Sequence, residues 1–269
     1  MLRFSAASAS HVGRVRTNNE DSGFAGPYLI AVADGVGGAA AGEVASASTT
    51  YVTSAMSMIS RTADPLSVLG AAVHRSHEHL RDGVLAEPSR DGMATTLTAV
   101  LSDGERFGLA HIGDSRGYLA RDGSLIAITH DHTLVQTLVD EGQITAREVR
   151  EHPYRSVVLR SIDGQHSPEP DLVWLDLREG DRLLLCSDGL TDMVPEEEIQ
   201  VLLSAPSVGT AVSQLVEAAL EAGGRDNITC IASDVVTSDL LCPDGALLGA
   251  VRDLDNLVDA AAVRMTRPA

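Results

Sequence analysis

The chain reads as an α+β fold built on antiparallel sheet, with helices covering the sheet faces. Three observations predict it. Asp103-Gly104 and Asp122-Gly123 separate short apolar stretches, as hairpin turns do. Several continuous apolar runs, such as Leu183–Cys186, read as strands. Between them stand segments whose apolar residues recur at helical spacing. Hairpin signals rather than βαβ repeats point to antiparallel pairing.

Taken in order, Tyr28–Ala33 is a buried strand that ends on Asp34. Val44, Tyr51, Val52, Ala55 and Ile59 then mark one helix, and Leu66, Leu69, Val73, Leu80 and Val84 a second. The stretch from Ala94 to Thr129 breaks into short strands at the two Asp-Gly turns. "TARE", Thr145 to Glu148, has the form of a capping box. "DLVWLDL" and "DRLLLCSDG" read as strands, and "NITCIASDVV" as another. "PEEEIQVLL" opens with Pro195 and acids, favourable at a helix start. "SVGTAVSQLVEAALEAGG" carries an apolar stripe and closes on Gly223-Gly224, a C-cap signal. Beyond Pro243, Leu247, Val251, Leu254, Val258, Ala261 and Met265 recur at three- and four-residue steps, which predicts an amphipathic helix whose apolar face docks on the body or, in the alternative, on a second copy or a partner. The expected division is therefore a body over 1–237 and a helical extension over 238–269.

Composition narrows the function classes. A chain of 269 residues, 44% hydrophobic, can bury one sizeable core. No apolar run is long enough to span a bilayer, and the N-terminal stretch lacks a secretory h-region. Cys186, Cys230 and Cys242 are widely spaced without a CxxC, which predicts reduced thiols in a cytoplasmic protein and no thiolate metal site. A net charge of -18 argues against nucleic acid and anionic membranes as partners, and suits a cation-dependent site.

Carboxylates stand at strand ends throughout. Asp34 ends "YLIAVAD", Asp114 ends "FGLAHIGD", Asp188 ends "RLLLCSD", Asp226 precedes "NITCIA", and Glu20 and Asp21 come just before the first buried strand. Small residues follow Asp34, Asp114 and Asp188, which permits tight turns and close approach to backbone. If these ends converge, the acids repel one another and require protons or cations. Hard oxygen ligands without His or Cys select Mg²⁺ or Mn²⁺, and a pair of such ions is a recurring device for phosphoryl hydrolysis. Asp103 and Asp122 are read as turn residues instead. Convergence of the others is not decided by spacing, so a shared metal site and separate turns both stand at this point.

The segments "VRTNNED", "VADGVGG", "GMATTLTAVL", "HIGDSRGYLAR", "THDHTLVQTLVDEGQIT", "HPYRSVVLRSIDG", "LLLCSDGLTDMV" and "GGRDNITCIASDV" occur in this order. Together they resemble the metal-dependent Ser/Thr protein phosphatases of the PPM or type 2C family, in its bacterial branch. The resemblance implies an αββα sandwich of two antiparallel sheets flanked by helices, with two or three Mn²⁺ or Mg²⁺ ions at one end. It implies hydrolysis of phosphoserine and phosphothreonine in proteins, opposing bacterial Ser/Thr kinases. Apart from the resemblance, a monomer is expected rather than a dimer. By resemblance Asp34 bridges two metals and the Gly35 carbonyl binds one. Asp188 and Asp226 complete the other metal's shell, Glu20 and Asp21 act through water, Asp114 serves a third, weaker ion, and Arg16 holds the phosphate. A guanidinium suits that last role, because it pairs bidentately and stays charged. Asn227, Thr95, Thr96 and Arg116 are assigned to support rather than catalysis.

Departures from the pattern define the alternatives. Val36 stands where animal members carry a His proposed as general acid, and Ala39, Ala40 and Ala41 follow. His130, His132 and His152 are the remaining donors, each more readily placed on a helix or loop surface. The lost donor leaves room for a binding module without turnover, and a phosphatase for an anti-sigma-factor antagonist is the rival within enzymes. His74, His77 and His79 are expected on a solvated helix face, and Asp140–Gly164 resembles the flap of the bacterial relatives, to be read either as an aid to substrate choice or as a plain surface helix.

Overall fold

The computed structural model describes residues 1–36, 41–60, 63–238, 245–259 and 261. Its strands are β1 (Leu2–His11), β2 (Asp21–Ala25), β3 (Leu29–Val36), β4 (Ala94–Thr95), β5 (Leu97–Ser102), β6 (Phe107–Ile112), β7 (Arg116–Arg121), β8 (Ser124–Ala127), β9 (Asp171–Leu175), β10 (Arg182–Cys186), β11 (Ile228–Thr237) and β12 (Ala246–Gly249). Its helices are α1 (Gly42–Ile59), α2 (Pro65–Ala86), α3 (Leu134–Asp140), α4 (Asp188–Thr191), α5 (Glu196–Leu203) and α6 (Val208–Glu221).

The central strands are apolar on both faces because both faces are covered. In β3, Ile30 and Val32 enter one core while Leu29, Ala31 and Ala33 enter another. In β10, Leu183 and Leu185 join Ile30 and Val32, whereas Leu184 and Cys186 pack with residues of α4, α5 and α6. Successive side chains point to opposite faces of a strand, so this alternation defines the layers. One sheet runs β1-β11-β10-β7-β8, and the other runs β12-β2-β3-β5-β6-β9 with β4 on β3. Every pairing is antiparallel. Phe4, Val100, Phe107, Leu119 and Ile231 fill the space between the sheets. Helices α1 and α2 cover the second sheet through Val44, Leu69, Val73 and Leu80, giving the αββα order.

Local signals held where the chemistry was local. The β7–β8 turn has Asp122 at φ 52 and Gly123 at φ 79, the left-handed pair a two-residue hairpin requires. Asp103 Oδ1 accepts from the N–H groups of Glu105 and Arg106 at 2.9 and 2.7 Å, as a turn residue does. The side chain of Ser207 accepts from Thr210 N–H at 3.1 Å and caps α6. Thr145 and Glu148 do bond to one another, at 2.7 Å, but only a 3-10 turn follows, at Val149–Glu151.

The C-terminal helix expected over Leu247–Met265 is not formed among the described residues. Leu247 lies in β12, paired with Phe24 on β2, and two 3-10 turns follow at Ala250–Arg252 and Leu254–Asn256. Gly249 is the break: its φ is 67, and a Cβ there would overlap the Asp21 carbonyl. Val251 and Leu257 are buried against Ala47 of α1, but Leu254 is 69% exposed, so no helical stripe exists. Met265 lies outside the described residues, as do Pro243 and Cys242.

His79, expected on a solvated face, is buried on α2, where desolvation lowers its pKa, while His74 is exposed. Cys186 and Cys230 are buried free thiols. Among the described residues no helix is long and apolar enough to cross a membrane.

Candidate metal centre and active site

Strand phase aims the acids. Asp34 shares its face with Ile30 and Val32, so the carboxyl follows them into the gap between the sheets, at its open end. Asp21 on β2 is paired directly opposite Asp34. From the other sheet come Asp188, which opens α4 after β10, and Asp226, just before β11. Asp114 lies in the turn that crosses from β6 in one sheet to β7 in the other. Ser187 Oγ donates to Asp21 Oδ2 at 2.7 Å and thereby links the two sheets at this end.

The acids act on one another. Burial first, and then Asp21, Asp188, Asp114 and Asp226, hold the Asp34 carboxyl well above the usual carboxylate range. Burial, then Asp114, Asp192, Asp226 and Asp21, do the same to Asp188. Burial with Asp131 pushes Asp114 up to about 7, and burial raises Asp21 to about 6 against its bond from Ser187. Asp34, Asp114, Asp188 and Asp226 keep partial exposure while Asp21 has none, so the cluster opens to solvent at its rim. Asp21 Oδ1 is buried without a hydrogen-bond partner. An orphaned carboxylate oxygen among mutually repelling acids has the chemistry that suits a hard divalent cation. No three His, Cys, Asp or Glu side chains among the described residues form an ion-holding set by themselves. Water and backbone carbonyl would have to complete it, as Mg²⁺ commonly requires.

Arg16 is the cation at this site. Its Nη2 donates to Asp226 Oδ2 at 2.7 Å, and that bond, with the charges of Asp226, Glu20 and Asp34, raises its pKa. Its side chain is 46% exposed, within reach of an incoming anion. The loop bearing it is pinned by Asn227, whose Nδ2 donates to the carbonyls of Val12 and Asn18 at 2.9 Å and whose Oδ1 accepts from Glu20 N–H at 2.7 Å. Thr95 and Thr96 support Asp34 through its backbone: Thr96 Oγ1 accepts from its N–H at 2.9 Å, and Thr95 Oγ1 donates to its carbonyl at 2.9 Å. Arg116 forks onto Asp131 at 2.7 to 3.0 Å.

Two glycines allow this closeness. A Cβ on Gly35 would lie 2.7 Å from the Glu20 carbonyl and would overlap that of Gly42. A Cβ on Gly189 would overlap the Asn227 carbonyl, which packs against the start of α4. Gly189→Ala is expected to lose about 1–3 kcal/mol of stability by overpacking, measured by urea unfolding of the metal-free protein.

All the residues singled out from sequence, Arg16, Glu20, Asp21, Asp34, Gly35, Asp114, Asp188 and Asp226, therefore fall at this one end of the sandwich. Asp192 and Asp131 were missed, and both bear on Asp114. Asp192 had a signal: it is four residues after Asp188, one turn along α4, and its N–H donates to the Asp188 carbonyl at 2.8 Å. Asp131 lies in the ordered segment "THDHTLVQTLVDEGQIT", but only the fold brings it beside Arg116.

Comparison with known proteins agrees with this geometry. The profile of the family described as Protein phosphatase 2C matches residues 10–222. The serine/threonine protein phosphatase PstP of Mycobacterium tuberculosis is 48% identical over 256 residues, 95% of this chain and 49% of that one. The serine/threonine phosphatase stp of Listeria welshimeri is 34% identical over 231 residues, 81% of this chain and 91% of that one. The crystal structure of the Mycobacterium tuberculosis phosphatase superposes with a TM-score of 0.82 at 48% identity, covering 87% of this chain and all, 100%, of that one. The PstP catalytic domain in complex with two manganese ions superposes with a TM-score of 0.80 at 47% identity, covering 88% and 100%.

An αββα sandwich with an acidic cluster at the mouth of its sheets defines a metal-dependent phosphatase fold. The chain belongs to the protein phosphatase 2C family. It spans about half the length, 49%, of its Mycobacterium tuberculosis relative.

Proposed function

We propose that this chain is a protein serine/threonine phosphatase that uses Mn²⁺ or Mg²⁺ to hydrolyse phosphoserine and phosphothreonine in proteins, and that it opposes a bacterial Ser/Thr kinase in the cytoplasm. The observation that carries the reading is the convergence on Asp34: Asp21 is paired directly opposite it, and Asp114, Asp188 and Asp226, from the turn between the sheets and from the other sheet, act on the same partly exposed carboxyl. Asp34, Asp188 and Asp226, with the Gly35 carbonyl, would hold two ions. Glu20 and Asp21 would act through water, and Asp114 would serve a weaker third. The ions, when bound, supply Lewis acidity and an activated water for in-line attack on phosphorus.

The chain's own residues do the rest. Arg16 presents a permanent charge and a planar fork to the phosphate oxygens. Asn227 keeps the Arg16 loop seated on the turn that carries Asp226. Among the His candidates for leaving-group protonation, His130 bonds to Asp140 at 2.7 Å on the surface, and His132 is buried and fully engaged. His152 Nδ1 accepts from Tyr154 N–H at 3.2 Å, and the leaving group is proposed to take its proton from water at the open rim. The catalytic unit is proposed to span 1–237, with 245–259 strapped across β2 and α1.

The test is release of phosphate from a phosphothreonine peptide with Mn²⁺, for wild type, Asp34→Ala and Asp226→Ala. Equal rates for all three would sink the reading, and peptide binding without turnover would make the chain a binding module. Autophosphorylated kinase compared with a phosphorylated anti-sigma-factor antagonist decides between the two enzyme readings. Arg16→Ala removes a charge-assisted bond of about 1.5–3 kcal/mol. Its kcat/KM is expected to fall about 10–100-fold without a rise in the Mn²⁺ concentration required.

A further inference from the structure

The base of the flap carries a histidine with no role in the reaction as described. His132 is 5% exposed. Its backbone N–H donates to the Gly113 carbonyl at 2.8 Å, and its ring Nδ1 accepts from the Gly113 N–H at 3.1 Å. One residue therefore satisfies both backbone polar groups of Gly113. An accepting Nδ1 leaves the ring proton on Nε2, which faces Asp171 Oδ2 at 3.2 Å. Asp171 is also paired with Arg160 at 3.2 Å, and the His111 ring packs on His132 with centroids 4.8 Å apart. The His132 carbonyl accepts from Leu159 N–H at 2.7 Å, which ties the flap back to the chain segment that precedes it.

Gly113 has little freedom to answer a change here. Its φ is 109, open to glycine alone, and a Cβ would overlap the Thr96 side chain. The next residue is Asp114, in the turn that crosses between the sheets. Thr96 Oγ1 also bonds to Ser115 Oγ at 2.8 Å and accepts from Asp34 N–H, so the turn and the Asp34 strand share one frame.

We propose that His132 is a positioning residue for Asp114: its neutral imidazole, oriented by Asp171, clamps Gly113 and so sets where the Asp114 carboxylate meets a divalent cation. The inference rests on the phosphatase reading, and specifically on Asp114 as a metal ligand. Such supporting residues act through the ligand they orient, and their loss costs about 10–100-fold in metal affinity or activity.

Two substitutions separate the two ring contacts. His132→Asn keeps an acceptor near the Nδ1 position and loses the Asp171 contact. His132→Gln keeps a donor near Nε2 and leaves the Gly113 N–H unpaired. Mn²⁺ binding is followed by titration calorimetry, and Mn²⁺ activation of phosphate release from p-nitrophenyl phosphate is measured beside it. His132→Gln is expected to weaken the weakest Mn²⁺ step and to raise the half-activating Mn²⁺ concentration at least about tenfold, with KM for the ester within about twofold. His132→Asn is expected to stay within about threefold of wild type on the Mn²⁺ readouts. Equal effects of the two variants, or none from either, would overturn the proposal, since a purely structural role does not rank the two contacts. Asp114→Ala is the control for the underlying reading. If it binds Mn²⁺ as wild type does, Asp114 is not a ligand and the inference falls with that assignment, while activity lost in Asp34→Ala would leave the phosphatase reading standing.

Discussion

Asp34→Asn is expected to lower Mn²⁺-dependent phosphate release at least about a thousandfold and, at the same time, to stabilise the metal-free protein. Residues that merely support metal ligands cost about 10–100-fold when removed, and Asp34 is proposed as a ligand shared by two ions. The stabilisation has a separate cause. The Asp34 carboxyl is desolvated and faces Asp21, Asp188, Asp114 and Asp226, with Arg16 at the rim offsetting part of their charge. Asparagine is neutral without taking up a proton and preserves the shape, so the cost of charging or protonating a buried carboxyl is removed. The supporting bonds from Thr95 and Thr96 are to Asp34 backbone, so they survive. Each kcal/mol of repulsion relieved raises the unfolding midpoint about 2–4 °C. Scanning calorimetry in chelator, beside a phosphate-release assay, checks both signs. A variant that is inactive and also less stable without metal would mean that Asp34 is a structural residue.

Stability of the metal-free protein is expected to fall as pH rises from about 4 to 7, with the opposite trend once Mn²⁺ is present. Asp21 and Asp114 carry folded-state pKa values of about 6 and about 7, raised by burial. Their unfolded value is about 3.9. A raised pKa means that the folded chain binds more protons than the unfolded chain in this window. The stability contributed by those protonated forms is present in full below about pH 4 and is lost as pH passes through the folded-state values. Asp34 and Asp188 shift in the same direction and extend the loss upward. Mn²⁺ must displace protons from carboxylates, so its affinity grows with pH. One site at 100 times its dissociation constant adds about 2.7 kcal/mol, or about 5–11 °C in a chain of this size. Unfolding midpoints at pH 5.5 and 8.0, in chelator and in Mn²⁺, give four numbers whose order is predicted. Burial lowers the pKa of His79, His111 and His132, and these imidazoles pull the other way in the same window, so the cluster is read against Asp34→Asn: a metal-free pH slope identical in that variant and in wild type would show that the acids do not share one volume.

Much of this molecule was legible before its coordinates. The Asp122-Gly123 hairpin, the Ser207 cap and the strand that ends on Asp34 depend on chemistry within a few residues. Motifs kept in order pointed to the family, and through it to Arg16, Glu20, Asp21, Asp34, Gly35, Asp114, Asp188 and Asp226. The tail shows the limit of periodicity. Leu247, Val251, Leu254 and Val258 fit a helix on paper, yet β2 offered an open edge and Gly249 had to pass close to the Asp21 carbonyl. A backbone that gains a sheet partner overrides a weak helical preference.

What the sequence determined alone was the alternation that makes both faces of β3 and β10 apolar, and the placement of an acid where each run stops. Whether those acids meet was decided only by the packing of two sheets, because Asp34 and Asp188 come from strands that never pair. The same holds for His132, whose hold on Gly113 spans the turn between the sheets and has no trace in local spacing. Short-range stereochemistry is written in neighbouring residues, whereas electrostatic coupling between distant ones exists only once the interface brings them together and excludes the water that would screen them.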